Sequence, residues 1–206
     1  MQLDLIDVFG ARRLTGNPLG VVHGGERLDN AAMLALTQWL GFSETTFLLP
    51  PSDPAADYRV RIFFLGGELD FAGHPTLGTC HAWLGAGGVS KRSGVVVQQS
   101  AVGLVEVRQD AGLLHFCAPP TRNGARLDAA ERADLIRIAG VDESQVLDAV
   151  HADNGSGYRL LRLGSAEEVL AAEPQSKVPL GTHFGLVGPP CQGRSDRFRD
   201  SRLLYR

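Results

Sequence analysis

A chain of 206 residues with 44% hydrophobic content is long enough for one large domain or two small lobes with a real core. A formal net charge of −3, with Arg and Lys dispersed until the tail, gives no electrostatic footprint for nucleic acid and no cationic stripe for a membrane surface. Cysteines at 80, 117 and 191 are odd in number and far apart, which favours free thiols in a reducing compartment over a disulfide frame or a zinc site. The first residues read as a strand and not a signal peptide, and no apolar run is long enough to span a bilayer, so a cytoplasmic location is expected.

Strand signals dominate the first half. Residues 3–9 alternate, and a turn at Gly16-Asn17-Pro18 leads into a short strand over 19–22. Asn30 to Leu40 reads as a helix stopped by Gly41. Ser43-Glu44-Thr45-Thr46-Phe47 then opens an apolar strand. A carboxylate leading into a strand can be half buried, with a raised pKa and general acid–base capacity. Residue type alone favours a solvated Glu at a strand end, since charged residues are mostly exposed. Residues 58–64 form a half-buried strand with Tyr58, Val60, Ile62 and Phe64 inward and Arg59 and Arg61 outward.

The most informative stretch runs from Glu68 to Gly78, ELDFAGHPTLG. Phe71 closes an extended apolar run, and Gly73, without a Cβ, lets the backbone come close to a ligand. Pro75 is expected at the first position of a helix that continues through Leu77, Cys80, His81 and Leu84. The free N–H groups at its start, with the positive end of its dipole, would make an anion site with the His74 imidazole at its rim. His74 can orient, transfer a proton or merely hydrogen-bond at the helix start. Cys80, at helical spacing from Leu77 and Leu84, reads as core packing. Residues 94–99, 103–108 and 113–117 form a meander that Pro119-Pro120 ends. Residues 1–118 are therefore expected to be one lobe, a mostly antiparallel sheet wrapped around the helix near Pro75.

A second unit is expected over 119–188. Asp128 caps a helix over 129–139 closed by Gly140, strands follow at 145–150 and 158–163, and Ser165 with Glu168 makes a capping box. One more strand lies near 183–188. Read as an incomplete lobe, this unit should expose Val146, Leu160, Leu161, Leu163 and Val187 on an unpaired apolar face. Residues 189–206 are Pro-, Arg- and Ser-rich without periodicity, and read as an aberrant tail compatible with a shifted reading frame.

Asp7-Val8-Phe9, Gly16-Asn17-Pro18-Leu19, Ser43-Glu44-Thr45-Thr46-Phe47 and Phe71-Ala72-Gly73-His74-Pro75-Thr76-Leu77-Gly78 occur in that order over a chain that, to about residue 188, resembles the phenazine-biosynthesis PhzF-like isomerase family. The chain departs from the family at Phe64-Leu65, where Thr-Pro-like residues are usual. The resemblance implies an α+β fold of the diaminopimelate epimerase type: two similar lobes, each a sheet around a central helix, with the second lobe here incomplete. It implies that Glu44 is the general acid–base of a proton shift on a small carboxylate-bearing substrate. His74 would be catalytic and line the pocket, the backbone N–H groups of Gly73 and His74 would hold the carboxylate, and Asn17 would touch substrate by fold analogy, although Asn between Gly and Pro is also ordinary turn chemistry. Ala72 stands where related epimerases carry a catalytic Cys, so thiol-based racemisation is not expected.

No nicotinamide, phosphate-loop or metal-ligand pattern is present in the sequence, so cofactor-independent chemistry without a metal is expected. The family's Glu-Asp-Pro-x-Thr-Gly-Ser-like segment is also missing from it, which leads us to expect a C-terminally truncated member with impaired activity. The alternative is an inactive remnant that binds small carboxylates or self-associates; a homodimer is compatible with either. Nucleic acid and membrane are not expected partners.

Overall fold

The computed structural model describes residues 1–189, and its fold splits into two compact units, the first Met1–Pro120 and the second beginning at Thr121. The proposed aberrant tail, with Cys191, lies outside the described residues apart from Pro189.

The first unit is built from β1 (Gln2–Val8), β2 (Asn17–His23), α1 (Asn30–Leu40), β3 (Glu44–Leu49), β4 (Tyr58–Phe64), β5 (Gly67–Leu69), α2 (Gly73–Gly85), β6 (Val95–Ser100), β7 (Gly103–Asp110) and β8 (Leu113–Phe116). The strands form one sheet in the order β1-β2-β3-β4-β6-β7-β8, with β5 paired to β4. Pairing is antiparallel except for β2 with β3 and β4 with β6, which are parallel. The sheet curls around α2, which packs on β1, β2, β3, β6 and β8. A helix surrounded in this way must be apolar on most sides. Accordingly His74, Pro75, Thr76, Gly78, Thr79, Cys80 and Ala82 are all buried.

Two differences from the boundaries read off the sequence bear on the site. Asn17 and Pro18 belong to β2 and not to a turn before it. Pro18 pairs opposite Asp7 in the part of β2 that β3 does not reach, since that pairing begins at Gly20. A missing N–H costs a central strand little there. Helix α2 likewise starts at Gly73, two residues ahead of Pro75, with Ala72 as its extended N-cap. The N–H groups of the first turn have no intrahelical acceptor, so Pro is tolerated at the third position as well as the first.

The second unit contains α3 (Ala129–Ala139), β9 (Val146–His151), β10 (Arg159–Leu163), α4 (Ala166–Ala171) and β11 (Phe184–Val187). Its sheet has the order β11-β10-β9, parallel between β10 and β11 and antiparallel between β9 and β10. The Asp128 cap and the Ser165 capping box form as the sequence indicates, and Glu131 completes a capping box with Asp128. The expected exposed apolar face does not form. Val146, Leu161 and Leu163 are buried with Leu135, Ile138, Val169 and Leu186 in a core of this unit's own, and only Leu160 and Val187 remain partly accessible. The reason is coverage, since α3 and α4 both pack on β10 and α4 also packs on β11.

Candidate active site

Glu44 opens β3, an interior strand flanked by β2 and β4, and is only 5% exposed. The solvated-glutamate reading therefore fails: the strand end lies inside the sheet. Burial pushes the Glu44 carboxyl above the ordinary range, and a hydrogen bond from Ser43 opposes that shift. Its Oε2 is buried and accepts no hydrogen bond. The nearest cationic or imidazole nitrogen is His74 Nε2, at 3.4 Å.

His74 arrives from the start of α2. Because β2 and β3 run parallel, their first residues, Asn17 and Glu44, come to the same end of the sheet, and α2 begins there too. The helical ladder starts with Thr76 N–H donating to Ala72 O at 3.2 Å, so the N–H groups of Gly73 and His74 lie ahead of it. No side chain caps this terminus. A Cβ at position 73 would meet only the Phe116 ring, at an ordinary 3.5 Å, so internal packing does not demand glycine there. His74 is 2% exposed, and burial lowers its pKa to about 4. The imidazole is therefore neutral near pH 7.

Asn17 and Ser43 complete the group. Asn17 Nδ2 lies 3.3 Å from His74 Nδ1, and the Ser43 hydroxyl donates to Asn17 Oδ1 at 3.5 Å. The structure thus brings Asn17, Glu44, Gly73 and His74 together, with Asn17 directed at the imidazole. Ser43 was not singled out from the sequence. Its signal was its place beside Glu44 in a segment where both side chains turn toward one strand end.

A buried polar network beneath the site was also missed. Tyr58 OH donates to Gln98 Oε1 at 3.0 Å, Gln98 Nε2 donates to Thr76 Oγ1 at 3.2 Å, and Thr76 Oγ1 donates to Ala72 O at 2.9 Å. This chain of bonds ties the sheet to the N-cap of α2. A glutamine after Val95-Val96-Val97 in an inward-facing strand was the available sign. Tyr58→Phe removes the donor and leaves a buried Gln98 oxygen unpaired. The expected loss is about 1–3 kcal/mol, read as a lower urea midpoint at unchanged slope. An unaltered midpoint would show the network to be dispensable. Cys80 lies in the core against this layer, and burial pushes its thiol up to about 12.

The His74 shift carries a pH signature. The unfolded imidazole takes up its proton near 6.5, whereas the folded one resists until about 4. Between these values the unfolded state binds more protons, so stability falls as pH drops from 6.5 to 4 and levels off below. The ceiling is on the order of 3 kcal/mol. The raised Glu44 carboxyl acts with the opposite sign over part of that window, so a difference isolates the histidine. Wild type should lose stability on acidification more steeply than His74→Gln, measured by urea titration from pH 7 to 4. Parallel curves would contradict the burial of a neutral imidazole.

Among the described residues no group of three His, Cys, Asp or Glu side chains converges to hold a metal ion, and no helix is long and apolar enough to cross a membrane.

The chain is similar in sequence and fold to known proteins. The family model for phenazine biosynthesis-like proteins matches residues 6–195. Antisense-enhancing sequence 1 of Schizosaccharomyces pombe is 32% identical over 177 residues, covering 82% of this chain and 60% of that protein. The trans-2,3-dihydro-3-hydroxyanthranilate isomerase of Pseudomonas aeruginosa is 38% identical over 173 residues, covering 84% and 61%. The chain thus spans about six tenths of the length of these curated relatives. Among solved structures, a protein described as a predicted epimerase from Pseudomonas aeruginosa superposes with a TM-score of 0.68 at 29% identity, covering 90% of this chain and 69% of that one. With the curled sheet around α2 and a family model that matches nearly the whole chain, this protein belongs to the phenazine biosynthesis-like, or PhzF-type, isomerase family.

Proposed function

We propose that the chain carries the acid–base half of a cofactor-independent isomerase acting on a small, cyclic, carboxylate-bearing substrate. The observation that carries this reading is the Glu44 carboxyl: buried, raised in pKa, with an oxygen that accepts no hydrogen bond, set beside His74 at an uncapped helix start. In its ionised form Glu44 takes a proton from one carbon of the substrate. The same carboxyl returns a proton to another carbon, so nothing is gained or lost overall. A carboxylate of raised pKa is the stronger base, closer to the ideal of matching the operating pH. The neutral His74 lies beside the carboxyl, its Nε2 3.4 Å from Glu44 Oε2. The N–H groups of Gly73 and His74, ahead of the α2 ladder, provide donors and the positive dipole end for the substrate carboxylate. The open steric space at Gly73 favours the same assignment, because a glycine not required by packing is available for close approach of a ligand.

The substrate class comes from the Pseudomonas aeruginosa relative, whose name specifies trans-2,3-dihydro-3-hydroxyanthranilate. The test is incubation of the 206-residue chain with that acid in D2O, with deuterium at ring carbons followed by NMR. Incorporation above the protein-free rate is expected. Saturable binding without incorporation would favour the alternative reading, a small-carboxylate-binding protein; neither binding nor incorporation would overturn both.

A further inference from the structure

Asn17 does not aim its amide at open space; it aims at Nδ1 of His74, 57 positions away in sequence, at 3.3 Å. The amide nitrogen can only donate. A neutral imidazole carries one proton, and the nitrogen that faces a donor must offer its lone pair. The proton then belongs on Nε2, which lies 3.4 Å from Glu44 Oε2, close to the carboxyl but outside hydrogen-bond geometry. The Ser43 hydroxyl lies 3.5 Å from Asn17 Oδ1 on the far side of the amide. The opposite tautomer would turn a lone pair toward an ionised Glu44, an unfavourable contact in a site that excludes water.

We propose that Asn17 is a positioning residue that sets the tautomer of His74, so that the imidazole keeps its proton on Nε2, the nitrogen on the Glu44 side of the ring. This differs from a role in touching substrate. It deepens the isomerase reading above and rests on it for catalytic meaning only, because the tautomer is a property of the protein without substrate. The device also links two states. When Glu44 holds a proton, its O–H can donate to Nε2 only if the imidazole proton moves to Nδ1, and then Asn17 must turn its oxygen inward. An amide with its nitrogen toward the ring, as in Asn17, is the arrangement that suits the ionised state.

The test uses the 206-residue chain with ¹⁵N-labelled histidine and two-bond ¹H–¹⁵N spectra near pH 7.5, which distinguish a protonated from a bare ring nitrogen. The chain has six histidines, so His74 is assigned by its loss in His74→Gln. The expected wild-type pattern is a bare Nδ1 and a protonated Nε2. Asn17→Leu removes the donor and should give a mixture of tautomers. Asn17→Asp, nearly the same shape but accepting only, should place a proton on Nδ1. The other five histidine signals report whether each variant is folded. A wild-type proton on Nδ1, or one unchanged pattern across both Asn17 variants, would overturn the proposal, and the wild-type spectrum decides the first point even if a variant fails to fold. Deuterium incorporation is measured separately. Its absence, with the expected tautomer shifts present, would remove the isomerase reading and leave the role of Asn17 standing.

Discussion

Glu44→Gln should reduce deuterium incorporation by about 10²–10⁴-fold while leaving the folded protein as stable as wild type or slightly more so. The two halves of this result have one cause. The side chain is buried, and burial disfavours its charged form, which is why its pKa is raised. A carboxyl whose folded pKa exceeds its unfolded value stabilises the fold at low pH, and that contribution is lost as pH rises through the folded pKa. Above that point the ionised side chain is a burden on the fold. Glutamine keeps the shape and carries no charge at any pH. It cannot take or return a proton. Substrate affinity should change little, since the carboxylate-holding donors proposed at Gly73 and His74 are untouched. The variant is assayed by the same NMR experiment, with urea midpoints at pH 8 alongside. Undiminished incorporation would remove Glu44 from the mechanism. Loss of incorporation together with a large loss of stability would instead point to a structural role for the carboxyl.

How much of this was legible beforehand depended on whether the information was local. Helix α1 ends at Gly41 and α3 begins at Asp128 because capping is decided within a few residues, and both were readable. Glu44 could be recognised as a candidate from the strand it opens, and His74 from its place at a helix start. Their 3.4 Å approach could not be read, because it follows from β2 and β3 being parallel and from α2 entering at the same end. The role of Asn17 was hidden for the same reason: Gly-Asn-Pro is good turn chemistry, and only the tertiary structure draws the residue into β2 and under the imidazole. In the second unit the misreading ran the other way. Val146, Leu161 and Leu163 look like an unpaired sheet face when strands are counted alone, yet α3 and α4 cover them. Expectations of aggregation through those three side chains lose their physical basis.

That covered core makes Gly140 a sensitive backbone position of the second unit. Two helices end at a glycine in the left-handed region, α1 at Gly41 with φ 72 and α3 at Gly140 with φ 64. At Gly41 a Cβ would meet nothing within 4 Å. At Gly140 it would lie 2.0 Å from the Glu173 carbonyl oxygen and 2.6 Å from its carbon. Those are backbone atoms, so no rotamer change relieves the clash. The segment after α4 must move away, and with it the bond from Gln175 N–H to Ile138 O, now 2.9 Å. The same segment carries Ala172 and Val178 against the core that holds Leu161 and Leu163. Gly41→Ala should therefore cost only the left-handed strain, about 1–2 kcal/mol. Gly140→Ala adds overpacking and a broken hydrogen bond, for a total of roughly 3 kcal/mol or more. Against a domain stability of about 5–15 kcal/mol this is a large share. Urea unfolding gives the comparison, and amide hydrogen exchange locates it: Gly140→Ala should speed exchange in α3, β9 and β10 while the amides of β3 and α2 keep their protection. Equal penalties at the two glycines would mean that the 173–175 segment yields without cost and does not close the core over α3.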